Sequence, residues 1–168
     1  DNSYQKYLKS YPDAFTDLKD MDINWDDFAA EKIDYSTIDG EHYGVPVDNG
    51  TVVCAYRIDL LEQAGYTIDD LTGCTWDKFM EVGKAVKEKT GKALLCMNSD
   101  GNDLPYIMMQ AEGVSQFKDG KPYITENETL VTIVEKLVEM AKEGILLMPN
   151  SWSDYTDKAI QGDQVAGV

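Results

Sequence analysis

Basic residues are scarce in this chain. Its 168 residues include 15 lysines and arginines against 31 aspartates and glutamates, so the formal charge is -16 at neutral pH. A surface of that sign lacks the basic patch that nucleic acids and anionic membranes require, and both are excluded as partners. The charge either serves solubility alone or favours a neutral or cationic ligand. The hydrophobic fraction of 43% is that of a globular domain with a real core.

Histidine and cysteine are nearly absent as well. His42 is the single histidine and lies in a glycine-flanked turn, which predicts an exposed position and excludes metal sites built on histidine clusters. The three cysteines, Cys54, Cys74 and Cys96, are an odd number without CxxC spacing, so neither a disulfide framework nor a zinc site is expected. Cys54 and Cys96 fall in apolar, strand-like runs and are predicted to be buried free thiols. One pair among the three is the alternative.

Catalytic and cofactor-binding motifs are missing too. The sequence contains no GxSxG, P-loop or GxGxxG pattern. A calcium loop starting at Asn98 would need glycine at its sixth position and glutamate at its twelfth, where this chain has Asp103 and Met109. We therefore expect no enzymatic activity, no cofactor and no bound metal.

Long hydrophobic runs are also absent. No apolar run approaches the length of about 18 residues that a membrane-spanning helix needs. No signal peptide or lipidation signal is visible at Asp1, although an exported precursor could have lost one. The chain stops within a strand-like run, Gln164–Val168. These features favour a piece of a longer protein.

The sequence does contain an alternation of strand-like and helix-like segments. This alternation is typical of an α/β fold with a mainly parallel sheet flanked by helices. β-branched and aromatic runs predict strands at 43–47, 51–57, 92–98 and 164–168. Apolar residues at helical spacing, with caps and closing glycines, predict helices at 3–11, 15–21, 58–65, 75–91, 103–113, 127–144 and 153–162.

Two of the predicted helices have especially clear patterns. Thr75 is the expected N-cap of the helix at 75–91, and Trp76 follows its core-facing pattern. The helix at 127–144 is predicted by six apolar residues that recur at helical spacing, and Gly144 closes it; the six are Leu130, Ile133, Val134, Leu137, Val138 and Ala141.

Two polar segments stand where a ligand could bind. Asp48-Asn49-Gly50 interrupts sequence that otherwise favours a strand, which indicates that the chain crosses between two lobes there, beside a ligand. Asn98–Leu104 follows a predicted buried strand, and ligands of such sheets bind outside the carboxyl ends of the strands. Its short amides and carboxylates suit a hydroxyl-rich ligand, because they donate to and accept from hydroxyl groups. A plain polar turn is the alternative.

Aromatic side chains near these segments could complete a sugar site. Trp152 and Tyr155 fall in a polar loop that enters the last helix, while Tyr106 and Tyr43 lie near the two polar segments. A flat ring can cover the apolar face of a sugar while neighbouring carboxylates bind its hydroxyls. A partly buried packing role is the alternative for each ring.

The order of these motifs resembles the extracellular solute-binding proteins of ABC importers, in the group that includes maltose-binding and other sugar-binding proteins. The run DGEHYGVPVDNGTVVCAYRIDLLEQAG resembles the family's crossing segment, and CTWDKFMEVGKAVKEKTG resembles its Thr-Trp-Asp-x-Phe helix. KALLCMN and LPYIMMQAEG are similar to the next strand and helix. FKDGKPYIT and AIQGDQVAGV resemble the turn and the helix–glycine–strand that follow. The likeness extends from about Phe15 to Val168.

The resemblance implies a periplasmic-binding-protein-like type II α/β fold, here as an incomplete two-lobe protein. Residues 1–46 would belong to the C-terminal part of the first lobe, 47–52 to the crossing, and 53–168 to the second lobe, truncated before its end. The residues expected to contact the ligand are Asp48, Asn49, Gly50, Asn98, Asp100, Asn102, Asp103, Tyr106, Trp152 and Tyr155.

The implied function is the capture of a small-molecule solute, a carbohydrate or oligosaccharide. Closure of the two lobes would present it to the ABC permease subunits of a membrane. The protein would be extracellular, as a cell-surface lipoprotein or in the periplasm, and monomeric. Two alternatives stay open: an extracellular hydrolase acting on glycans, and a binder of the same fold that takes a polyamine or another cationic solute.

Overall fold

A computed structural model describes residues 4–48, 50–97, 103–151 and 153–168 of the chain. The chain divides into two compact units, Asp1–Val53 and Cys54–Val168. Nearly all of the buried apolar side chains of the described residues belong to the second unit, where Leu61, Leu94, Met108 and Ile145 are fully buried. The second unit therefore contains the hydrophobic core.

The first unit consists of short elements. Its strands, Thr37–Ile38 and Glu41–His42, form an antiparallel hairpin whose turn places Asp39 and Gly40 at positive φ, 54° and 83°, as a tight hairpin turn requires. Its elements are α1 (Tyr4–Ser10), 3₁₀ turns at Pro12–Ala14 and Trp25–Asp27, α2 (Ala30–Tyr35), β1 (Thr37–Ile38) and β2 (Glu41–His42).

The helix predicted at 15–21 is wrong. Leu18 donates its N–H to the carbonyl of His42 at 2.7 Å. The Asp17 carboxylate accepts from the N–H groups of Lys19 and His42 at 3.1 and 3.2 Å. A short acidic side chain that binds nearby N–H groups competes with helix formation, and here it fastens this stretch to β2.

The second unit is a layer of helices and a short sheet. The helices are α3 (Ile58–Gln63), α4 (Trp76–Thr90), α5 (Asp103–Ala111) and α6 (Glu128–Lys142), with a 3₁₀ turn at Ile68–Asp70 and a π-helix at Asp154–Gln161. The strands are β3 (Leu95–Cys96), β4 (Phe117–Lys118), β5 (Lys121–Pro122) and β6 (Leu146–Leu147), and β4 and β5 form a separate hairpin.

The sheet of this unit is mainly parallel, as predicted. β3 pairs parallel with β6, and Ala93, just before β3, pairs parallel with Val165. Gly167 then pairs antiparallel with Tyr56. The pairings give the order 146–147, 93–97, 165–168 and 55–57 across the sheet.

Helix α4 begins and ends where its caps predict. The Thr75 hydroxyl accepts a hydrogen bond from the N–H of Lys78 at 3.3 Å, and Gly91 closes the helix in the left-handed region at φ 73°. Trp76 is half-buried against the core and meets Phe79 edge-on, with ring centroids 5.6 Å apart. The packing role predicted for Trp76 is confirmed.

Loss of the Thr75 cap should weaken the second unit. Thr75→Ala removes the acceptor for one N–H of the first turn, so we expect the free energy of unfolding to fall by about 1 kcal/mol. Thermal unfolding followed by circular dichroism should show a loss of about 2–4 °C in Tm. Thr75→Ser retains the hydroxyl and serves as the control. An equal loss in both variants would contradict the capping role.

The strands predicted at 43–47 and 51–57 are largely wrong. In the first, Tyr43 donates its N–H to the carbonyl of Ser36 at 3.0 Å, and in the second, pairing begins at Ala55, which exchanges hydrogen bonds with Val168 at 2.9 and 3.0 Å. Val47 is 99% exposed and Val53 76% exposed. A strand needs a hydrogen-bonded neighbour, and residues 45–48 and 50–54 find no ladder partner among the described residues. Cys54 is consequently exposed, against the prediction, whereas Cys96 is buried and all three cysteines are free thiols.

The helix predicted at 127–144 is confirmed as α6. Its buried residues are Leu130, Ile133 and Met140. Val134 and Val138, which follow the same helical spacing, are 49% and 46% exposed. The apolar arc of the helix is therefore wider than the part that packs on the core.

Candidate functional site

The carboxyl ends of the parallel strands define one edge of the sheet in the second unit. β3 leads through Met97 toward the predicted ligand loop, and β6 leads into residues 148–153. The antiparallel segment 55–57 begins at the same edge, because it runs opposite to its neighbours. This is the edge at which ligands of such sheets bind. Asn98, Asp100 and Asn102 lie outside the described residues.

Helix α5 carries two of the predicted contacts. Asp103 and Tyr106 are three residues apart and therefore lie on neighbouring positions of one helix face. Asp103 is exposed in the first turn, where a negative charge is favourable. Tyr106 is 39% exposed, and its hydroxyl accepts a hydrogen bond from Gln116 Nε2 at 3.2 Å. The structure thus brings an exposed carboxylate and an exposed ring together.

Tyr155 has a different environment. Its ring packs against a small buried cluster that contains Ala93, Cys96 and Val165, which belong to the two central segments of the sheet. Burial raises the pKa of the Tyr155 hydroxyl, and burial likewise raises the pKa of the Cys96 thiol to about 11. Much of this ring is used for packing. Trp152 lies outside the described residues.

The predicted contacts at the crossing belong to the first unit. Asp48 and Gly50 are exposed, and Asn49 lies outside the described residues. Tyr43, the aromatic residue predicted beside the crossing, is half-buried, and its carbonyl accepts a hydrogen bond from the Tyr4 hydroxyl. The role of these residues as ligand contacts stays a prediction.

His42 is not the exposed turn residue that the sequence suggested. Its ring stacks on Trp25, with centroids 4.4 Å apart and the planes 25° from parallel. Its Nδ1 is 2.9 Å from the Thr37 hydroxyl across the β1–β2 pair. The stacking partner, Trp25, is distant in sequence. The glycines beside His42, on which the prediction of an exposed turn rested, carry no information about that partner.

The opposite edge of the sheet holds an ion cluster that sequence reasoning missed. Asp163 bridges Arg57, at 2.8 Å, and Lys92, at 2.7 Å. The two cations, Lys92 first and then Arg57, hold the pKa of the Asp163 carboxyl below its usual range. Lys92 directly precedes Ala93, and Asp163 lies two residues before Val165; Ala93 and Val165 form a parallel pair. Since the amino ends of parallel strands meet at one edge, that signal was available.

A cavity of about 540 Å³ lies at this same amino edge. It is formed where α4 and α6 end and where the chain enters the strands. Both of its lysines are engaged in hydrogen bonds: Lys87 donates to the carbonyl of Gly91, and Lys92 donates to Asp163. The cavity and the predicted ligand edge are therefore at opposite ends of the strands.

Metal and membrane features were also sought in the described ranges. Within residues 4–48, 50–97, 103–151 and 153–168, no three His, Cys, Asp or Glu side chains are grouped as a metal site would need. No helix in the part of the chain that the structure describes is long and apolar enough to cross a bilayer.

Comparison with known proteins places this chain among binding proteins. The profile of a family described as bacterial extracellular solute-binding protein matches residues 2–168. The lactose-binding protein of Rhizobium radiobacter is 39% identical over 169 aligned residues, which cover 100% of this chain and 40% of that protein. The arabinooligosaccharide-binding protein of Halalkalibacterium halodurans is 33% identical over 122 residues, covering 73% of this chain and 27% of that protein. The chain thus spans two fifths or less of these relatives' lengths.

A solved structure shows the same fold. UgpB of Mycobacterium tuberculosis, determined with glycerophosphocholine, matches 98% of this chain and 43% of its own chain with a TM-score of 0.76. At 17% sequence identity this likeness concerns the fold alone. It confirms the α/β, periplasmic-binding-protein-like architecture that the motifs implied.

Proposed function

The chain belongs to the family of bacterial extracellular solute-binding proteins, as its ordered motifs indicate, and we propose that it captures a carbohydrate for uptake. The observation that carries this proposal is the alignment with the lactose-binding protein, which runs through all of this chain, including residues 47–52 and the strands of its sheet. A second relative is named for arabinooligosaccharides. An oligosaccharide is therefore the ligand class that we assign.

The chemistry of the carboxyl edge suits such a ligand. Asp103 offers a carboxylate in solvent, and Tyr106 offers a ring on the same helix face. A carboxylate accepts hydrogen bonds from two neighbouring sugar hydroxyls, while a ring covers the apolar face of a pyranose. The amides of Asn98 and Asn102, and the carboxylate of Asp100, would add further hydrogen-bonding groups. Trp152 and Tyr155 would complete the aromatic part.

Capture would occur by closure around the ligand. The segment 47–52 would be the crossing between a first lobe, which includes residues 1–46, and a second lobe, residues 53–168. Asp48, Asn49 and Gly50 would then contact the ligand from the crossing. A ligand that contacts both lobes favours the closed state by its extra affinity for that state.

The partners follow from this role. ABC permease subunits would receive the closed, loaded protein, which would act outside the membrane as a monomer, as a lipoprotein of the cell surface or in the periplasm. No step of capture breaks a covalent bond, so no catalytic residue and no cofactor are needed. Binding to nucleic acid is disfavoured by the charge of -16.

Calorimetric titration of the full-length protein tests the proposal. The panel should hold lactose, arabinooligosaccharides, malto-oligosaccharides, glycerophosphocholine and spermidine, with chromatography of each mixture after incubation. We expect saturable heat with a neutral sugar and recovery of that sugar intact. Heat with spermidine alone would favour a cation binder, and new reducing ends would favour a glycan hydrolase. Either result would overturn the proposed function.

A further inference from the structure

The hydroxyl of Tyr106 has a fixed partner within the second unit. The side-chain amide of Gln116 donates a hydrogen bond from its Nε2 to the Tyr106 hydroxyl oxygen at 3.2 Å. A phenolic hydroxyl can accept a hydrogen bond and still donate its own proton. Because the oxygen of Tyr106 is the acceptor in this bond, its O–H proton can be donated to another group. The residue is also 39% exposed, so a molecule in solvent can approach it.

Gln116 is itself held in place through its backbone. Its carbonyl accepts a hydrogen bond from the N–H of Tyr123 at 2.7 Å, beside the pair formed by β4 and β5. The preceding carbonyl, that of Ser115, accepts from Asn127 Nδ2 at 3.0 Å. Asn127 is buried and caps α6. These bonds fix the backbone of Gln116 relative to the hairpin and to the start of α6.

Helix α5 holds the other end of the Tyr106 side chain. Met108 and Met109, on the same helix, are buried in the core. The N–H of Val114 donates to the carbonyl of Met109 at 3.0 Å, which ties the chain that leads to Gln116 back onto the helix. The Tyr106 ring is therefore held at its backbone by a packed helix and at its hydroxyl by Gln116. A side chain that is ordered before binding loses less conformational entropy when a ligand arrives.

We propose that Gln116 is a positioning residue of the ligand site, which orients the Tyr106 hydroxyl to donate a hydrogen bond to a sugar oxygen. The inference rests on the proposed function, in which Tyr106 contacts an oligosaccharide. Asp103, on the same helix face, supplies a carboxylate that only accepts hydrogen bonds. A sugar hydroxyl both donates and accepts, so a donor beside that carboxylate complements it. A hydroxyl that already accepts a hydrogen bond is also a stronger donor, because linked hydrogen bonds polarise one another.

Reversal of the bond between Gln116 and Tyr106 in the full-length protein tests this inference. In Gln116→Glu the new carboxylate accepts the Tyr106 proton, so the ring stays tied but the proton is no longer available to a sugar. Calorimetric titration with lactose and with arabinooligosaccharides should show a Kd about 5-fold to 10-fold higher for the sugar that binds. Gln110→Glu is the matched control, because Gln110 is an exposed glutamine of α5 and receives the same charge. Its Kd should change by less than about 2-fold.

A double-mutant cycle with Tyr106→Phe separates this role from a structural one. Phenylalanine has no hydroxyl proton, so Gln116→Glu should raise Kd by less than about 2-fold in that background. An equal rise in both backgrounds, or a loss of Tm without a rise in Kd, would overturn the inference. Gln116→Met removes the amide donor without adding charge and serves if Gln116→Glu fails to fold. It should raise Kd about 3-fold, and an unchanged Kd would overturn the inference.

The same titrations distinguish this inference from the proposed function. If Asp103→Ala weakens sugar binding and Gln116→Glu does not, the site is correct and the positioning role of Gln116 is wrong. If the unaltered protein gives no heat with any neutral sugar, the proposed function fails and the inference fails with it.

Discussion

Replacement of Gly83 by alanine is expected to destabilise the protein, although alanine is the better helix former. A Cβ at position 83 would lie 2.4 Å from Ile145 Cγ2 and 3.2 Å from Ile145 Cγ1. Ile145 is fully buried, so its side chain has no room to move away from the added methyl group. Overpacking of this kind costs up to about 3 kcal/mol, and the helix propensity of alanine returns about 1 kcal/mol. The net expectation is a loss of about 2 kcal/mol in the free energy of unfolding.

Urea denaturation of a double-mutant cycle measures this effect. Ile145→Ala removes Cγ2, the atom that the added methyl group at position 83 would meet. The double variant should therefore be more stable than the sum of the two single changes predicts. A coupling of about 1 kcal/mol or more is expected for side chains in contact. If Gly83→Ala raised stability by about 1 kcal/mol, as in an exposed helix, the close approach of α4 to Ile145 would be wrong.

The second large effect concerns ligand affinity. Asp48→Ala and Asp103→Ala should each weaken binding of the sugar that calorimetry identifies by roughly 10-fold to 100-fold. This range follows from a loss of about 1.5–3 kcal/mol for a hydrogen bond to a charged group. Both carboxylates are exposed, so Tm should change by no more than about 2 °C.

Asp77→Ala is the matched control for Asp103→Ala. Asp77 is also an exposed aspartate in the first turn of a helix, but its carboxylate pairs with Lys136 at 2.5 Å on the outer side of α4 and α6. Its removal should cost a similar small amount of stability and leave the Kd unchanged. If Asp48→Ala and Asp103→Ala lowered Tm as well as affinity, or lowered Tm alone, the two residues would be structural.

Helices with local signals were predictable from the sequence. Helix α4 begins at the Thr75 cap and ends at Gly91, and both caps contact residues no more than four positions away. Asn127 caps α6, because its side chain accepts a hydrogen bond from the N–H of Leu130. Because such caps involve only neighbouring residues, they can be read without knowledge of the fold.

Features that depend on distant residues were not predictable in the same way. Residues 51–54 have the composition of a strand, yet pairing begins only at Ala55, where Val168 supplies a partner. Val134 and Val138 follow the same helical spacing as Leu130 and Ile133, but spacing alone does not state how much of each side chain is buried. The Trp25–His42 stack likewise joins segments that are far apart in sequence.

The candidate site was predictable as an edge of the sheet more than as a set of contacts. The alternation of strands and helices predicted a mainly parallel sheet, and the observed pairing shows β3 in such a sheet with its carboxyl end at one edge. The packing role of the Tyr155 ring depends on its contacts with Cys96 and Val165, which are distant in sequence, so the sequence alone did not predict it. Whether Asp48 and Asp103 hold one ligand is a prediction about affinity, which the variants above measure.

A crystal structure of the full-length protein with its bound oligosaccharide tests the central claim most directly. The account predicts that sugar hydroxyls lie within about 3.2 Å of the Asp103 carboxylate, with a ring stacked on an aromatic side chain at the carboxyl edge of the sheet. A sugar bound instead at the amino edge, in the cavity beside Lys92 and Asp163, would contradict it.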